Sequence, residues 1–147
     1  MKLFTIGFTQ KSARDFFETL KENKIDLMVD VRINRTSQLA GFAKGRDLEY
    51  FMKEIVDSDY VAREDLAPTK ELLKDYRDKK VSWAEYVPAY LETLRLRGTY
   101  RNFLKDYKNY KNVVLLCSEA TAENCHRRLL AEKIKADVNN ELEIIHL

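Results

Sequence analysis

Val113-Val114-Leu115-Leu116 is an unbroken apolar run closed on both sides by polar residues, and it restricts this chain more than any other stretch. Four residues, two of them β-branched, suit a buried strand and are too few for a buried helix. Cys117, Ser118 and Glu119 follow, and then Leu129, Leu130 and Ile134 recur at helical spacing. Thr121 is a predicted N-cap, and the spacing predicts a helix from near Ala122. Strand, polar turn and helix in this order direct free backbone N–H groups and the positive end of a helix dipole into the space above the strand. That space suits an anion.

On a helical wheel His126 falls near the centre of the arc made by Leu129, Leu130 and Ile134, so it faces the sheet. One reading is a core histidine bonded to a carbonyl, a small cysteine packed beside it and a solvated arginine. The other is a site. Cys117, Glu119, Cys125, His126 and Arg127 fall within eleven residues around a turn that already suits an anion, which favours the second.

The chain begins with the same alternation. Lys2 to Phe8 reads as a strand with Gly7 at its turn, Ser12 as the N-cap of a helix through Asn23, and Ile25 to Ile33 as a second strand. Strand-helix-strand implies parallel pairing with a right-handed crossover. In the second strand Val29, Val31 and Ile33 share one face, and Met28, Asp30 and Arg32 the other. Two opposite charges at i and i+2 on a buried strand must pair or be hydrated. They form either a structural ion pair or an acid and a guanidinium lining a pocket at the carboxyl end of the sheet, where open α/β sheets bind ligands.

Residues 34–45 carry polar and small side chains without a helical stripe and read as a long loop or lid, in which Arg35, Ser37 and Lys44 are either anion contacts or solvated side chains. Helical spacing returns over Arg46 to Val56, Tyr60 to Ala62 is a short third strand, and Pro68 to Tyr110 reads as helical. Ser82 with Glu85 makes a capping box, and Trp83, Val87, Tyr90, Leu91 and Leu94 share the inward face. Gly98 ends that helix. From Arg95 to Lys111 aromatic and basic residues interleave, which suits either an amphipathic helix with a solvated rim or a nucleic-acid face. Leu142 to His146 is the last strand.

These elements predict a single α/β domain over residues 1–147. It would have three layers: a mostly parallel sheet of about five strands, helices on both faces, and a helical insertion before the fourth strand. Its 147 residues, 45% hydrophobic, supply enough core to fold without disulfides, and two cysteines with no second metal-type pair argue for reduced thiols. Charge is 34% of residues but nearly balanced at +2, so bulk electrostatics do not call for nucleic acid. With no apolar leader after Met1 and no long apolar window, the chain reads as cytoplasmic, with no membrane partner.

The segments FTIGFT, VDVR, WAEYVPAYLETL and above all LLCSEATAENCHRRLLAE resemble the domain-of-unknown-function 488 family, small proteins without an established activity. The resemblance runs through nearly the whole chain. It implies a compact α/β domain and marks Thr5, Gly7, Asp30, Arg32, Cys117, Glu119, Cys125, His126 and Arg127 as positions shared with the family pattern. It implies no reaction.

With the first strand central, the ends of strands one, two and four would meet at one edge. The expected function is an enzyme or ligand-binding domain for a phosphate-bearing small molecule or nucleotide. Arg32 and Arg127 would hold the anion, with Gly7, Thr9 and Ser118 on the binding edge. Glu119 or Asp30 would be the general base, His126 would transfer a proton, and Cys117 or Cys125 is the candidate nucleophile. No cofactor is expected. The alternative is a non-catalytic nucleic-acid-binding or regulatory module using the basic aromatic face of 95–111. A zinc site from Cys117, Cys125, His126 and His146 ranks last, because its spacing lacks the paired Cys-x-x-Cys pattern, and no metal is expected.

Overall fold

The computed structural model describes residues 1–35, 40–119 and 122–147. Ser37 and Thr121, the lid contact and the N-cap read from the sequence, lie outside them. Five strands run parallel in one sheet: β1 (Lys2–Gly7), β2 (Leu27–Asp30), β3 (Asp59–Ala62), β4 (Asn112–Cys117) and β5 (Glu143–His146). Their order is β3-β2-β4-β1-β5. The central strand is therefore β4, not β1. It pairs with β1 from Lys2↔Asn112 to Gly7↔Cys117 and with β2 from Leu27↔Val113 to Asp30↔Leu116.

Alternation along the strands makes two cores. Phe4, Ile6, Met28, Val114 and Leu116 face one side, where α1 (Ala13–Glu22) brings Phe16, Phe17 and Leu20, and α2 (Gly45–Phe51) brings Leu48. Met52–Val56 extends α2 by a π-helical turn. Leu3, Leu27, Val29, Val113 and Leu115 face the other side. There they meet α3 (Lys70–Arg77), α4 (Trp83–Arg97), α5 (Phe103–Asp106) and α6 (His126–Asp137). Sheet with helices on both faces is the expected architecture. The helical insertion α3–α5 crosses back over β2 and delivers β4 between β2 and β1. Connections leaving β1 and β2 thus run to one face and the connection leaving β4 to the other, which opens a crevice at the carboxyl end of β4.

Local chemistry sets the element ends. The Ser12 hydroxyl accepts from the Asp15 amide at the start of α1, and Ser82 with Glu85 forms a full capping box at α4. The second strand is shorter than its apolar run, because the Arg32 amide turns back to donate to Asp30 Oδ1. That turn ends the ladder. The helix expected near Ala122 begins at His126 instead. Cys125 precedes it with extended backbone, φ −130° and ψ 140°, which an α-helix cannot include.

The stretch from Arg95 to Lys111 is not one helix. Gly98, at φ +73°, closes α4; a 3-10 turn over Thr99–Asn102 and the one-turn α5 follow. Its rings are fixed to acids and to arginine: Tyr100 donates to Asp137, Tyr110 to Asp59, and Tyr107 accepts from Arg63. Arg95 pairs with Glu92, and Arg97 donates to the carbonyls of Asp65 and Ala67. Among the described residues no helix is long and apolar enough to cross a membrane.

Candidate functional site

The loops leaving β2 and β4 and the first turn of α6 form one wall of a cleft, which presents Arg32, Cys117, Ser118, Glu119, Cys125 and His126. The opposite wall comes from α3 and the start of α4, and presents Tyr76, Arg77, Trp83 and Tyr86. Trp83 stacks on Tyr86 with ring centres 5.1 Å apart and planes 14° apart, and Tyr76 packs against both. Sequence spacing had read Trp83 only as core. The non-local return of α3 and α4 over the β2 end makes it a cleft wall.

Arg32 and Asp30 form a buried two-pronged pair, Nε to Oδ1 at 2.8 Å and Nη2 to Oδ2 at 2.7 Å. The Tyr60 hydroxyl donates to the same carboxylate at 2.5 Å, and burial together with that carboxylate raises its pKa. Asp30 is thus enclosed and does not line the cleft. Arg32 does, and its Nη1 is buried without a hydrogen-bond partner among the described residues.

His126 Nε2 lies 2.8 Å from the Val31 carbonyl oxygen. A carbonyl only accepts, so Nε2 carries the hydrogen and the lone pair is left on Nδ1. Burial lowers the ring's pKa to about 4, leaving it neutral near neutral pH. Tyr90 meets it edge-on, 5.6 Å between ring centres.

Arg127 is fully buried and points away from the cleft, under the loop that follows β4. Its Nη1 donates to the Glu119 carbonyl at 2.6 Å and to Cys117 Sγ at 3.2 Å, while Nε and Nη2 have no partner among the described residues. Burial lowers the guanidinium to about 10. Gly7 and Thr9 act on the same loop. A Cβ on Gly7 would sit 1.5 Å from the Glu119 carbonyl oxygen, and Thr9 donates from both hydroxyl and amide to the Ser118 carbonyl. They hold the loop rather than line the cleft.

Cys117 and Cys125 are joined as a disulfide, which corrects the expectation of reduced thiols. The two sulfurs and a ring nitrogen of His126 lie within 4.8 Å of one another. His146 stands apart on β5, bonded to Thr5. Arg35 pairs with Glu64, and Lys44 precedes α2, so neither lines the cleft.

No curated protein and no solved structure matches the chain. A family model does match, over residues 12–134, from the cap of α1 to the last buried turn of α6. By that match the chain belongs to the family described as Domain of unknown function DUF488.

Proposed function

We propose that the cleft binds a phosphate-bearing ligand with a flat ring, of the nucleotide class. The observation that carries the reading is the unpartnered Nη1 of the buried Arg32, on a cleft whose facing wall is a stack of aromatic rings. A buried guanidinium nitrogen without an acceptor is costly, and a phosphate oxygen is a strong acceptor for it. Support comes from the N-terminus of α6, which no side chain caps among the described residues, and from Arg77, which lines the cleft. The ring of the ligand would lie along Trp83, as bases lie on aromatic side chains.

Glu119 is the one carboxylate lining the cleft among the described residues, and is the proton acceptor in any reaction there. The enclosed Asp30 and the neutral, carbonyl-bonded His126 are less suited to that task. The test is thermal stability of wild type, Arg77→Ala and Trp83→Leu with nucleoside monophosphates, nucleosides, inorganic phosphate and short single-stranded oligonucleotides. Ligand at a hundred times its dissociation constant adds about 2.7 kcal/mol, which a melting curve resolves. Nucleoside monophosphates should stabilise wild type and both variants should respond less. A response to oligonucleotides that both variants retain would contradict the reading.

A further inference from the structure

We propose that, with its thiols reduced, the chain holds a zinc ion at the floor of this cleft through Cys117, Cys125 and His126, with the fourth position open to the cleft. Sequence spacing argued against this, because no Cys-x-x-Cys pair is present. The fold supplies what spacing lacks. Cys117 ends the central strand, Cys125 is the extended residue before α6, and His126 is the first residue of that helix. Their three ligand atoms lie within 4.8 Å of one another, and all three residues are buried.

Three observations bear on the identity of the ligand set. The first is the histidine. A metal-bound imidazole characteristically donates its other N–H to a carbonyl or carboxylate, which fixes the ring and leaves one lone pair for the ion. His126 makes that bond to Val31, so Nδ1 is the nitrogen free to ligate. The second is the spacing of the cysteines. Their Cα atoms are 7.5 Å apart, wider than the usual range of about 4.4–6.8 Å for a disulfide. Two thiolates on one tetrahedral zinc, with Zn–S near 2.3 Å, stand roughly 3.8 Å apart at sulfur and fit a wider separation of their backbones.

The third is Arg127. This buried guanidinium has no ion pair among the described residues, and its one side-chain partner is Cys117 Sγ. Against a disulfide sulfur its countercharge is the Glu119 carboxylate, beyond ion-pair distance. Against a thiolate it gains an anion and an N–H···S bond of the kind that supports a metal-bound sulfur. Soft sulfur with imidazole selects zinc among the common divalent ions, and three protein ligands with an open fourth position is the arrangement of zinc sites that do chemistry. The position faces the ring wall and Glu119.

Loading balances simply. A dithiol or phosphine reductant supplies two electrons, and two protons complete the thiols; zinc binding then releases both thiol protons to solvent. The inference stands apart from the nucleotide reading, because the metal is measured with no ligand present.

The experiment uses untagged full-length protein, reduced with a phosphine, offered zinc and passed through a desalting column. Elemental analysis should find about one zinc per chain, both thiols should react with a disulfide reagent only after a chelator is added, and cobalt in place of zinc should give intense thiolate charge-transfer absorption. Cys125→Ser and His126→Ala should each lose stoichiometric metal, and His146→Ala should keep it. Should the variants fail to fold, the wild-type stoichiometry and cobalt spectrum decide alone. Reduced wild type that retains no zinc, or whose thiols react at once in its presence, overturns the proposal.

Discussion

Arg32 and Arg127 are both buried at the carboxyl edge of one sheet, yet they are held in opposite ways. Arg32 meets a carboxylate with two parallel bonds, a third from Tyr60 steadies that carboxylate, and Phe8 covers the guanidinium with its ring 5.1 Å away. Arg127 meets a carbonyl and a sulfur and no acid. The first arrangement is complete except for one nitrogen, and that nitrogen belongs to a residue lining the cleft. The second is incomplete unless Cys117 carries charge. Burial alone therefore does not separate a structural arginine from a functional one; the partner does.

The largest effect should come from Asp30→Asn. It leaves the Arg32 charge buried without its carboxylate, a loss of about 3–5 kcal/mol, measured as a lower urea midpoint. A loss below about 1 kcal/mol would mean that Arg32 is hydrated and that the contrast with Arg127 is false.

Between the two arginines sits His126. Its folded pKa, lowered to about 4, lies below the 6.5 of an exposed ring, so the unfolded chain binds the extra proton first as pH falls. Its contribution is unchanged above about pH 6.5 and is lost between there and about pH 4, by an amount of order 3 kcal/mol. Urea midpoints of metal-free wild type should fall through that window more steeply than those of His126→Gln. Equal slopes would place the ring in water.

Tyr60→Phe removes the hydroxyl's bond to Asp30 and should cost about 1.5–3 kcal/mol, as hydrogen bonds to charged groups do. Arg127→Met should cost the least. In the disulfide form it removes a buried charge that has no ion pair among the described residues, so the change should be within about 1 kcal/mol of neutral or stabilising, while zinc retention by the reduced protein should drop. A loss as large as that of Asp30→Asn, in the oxidised protein, would show that Arg127 is as fully paired as Arg32.

Much of this molecule was legible in local pattern. The apolar runs at β1, β2 and β4, the caps Ser12 and Ser82, and the Asp30–Arg32 alternation depend on neighbours within a few residues, and the structure bears them out. What escaped was non-local. Nothing near Asn112 says that β4 inserts between β1 and β2, since that order depends on where a long helical insertion returns. Trp83 read as core on its own helix because its partner across the cleft is the end of β4, some thirty residues on. The tyrosines after Gly98 left an amphipathic rim and a binding face both open in the sequence, because the acids that hold two of them, Asp59 and Asp137, come from elsewhere in the chain. The strand and helix on either side of the turn after β4 were legible in the sequence, while its cysteine pairing and the late start of α6 were not.

The most direct measurement of the central claim is side-chain NMR of arginine-labelled protein titrated with a nucleoside monophosphate. The unpartnered Nη1 of Arg32 is taken as the phosphate contact, so the Arg32 guanidinium signals should shift and slow their exchange with water while those of Arg127 stay in place. An unmoved Arg32 under saturating ligand, or a shift confined to Arg127, would contradict the account.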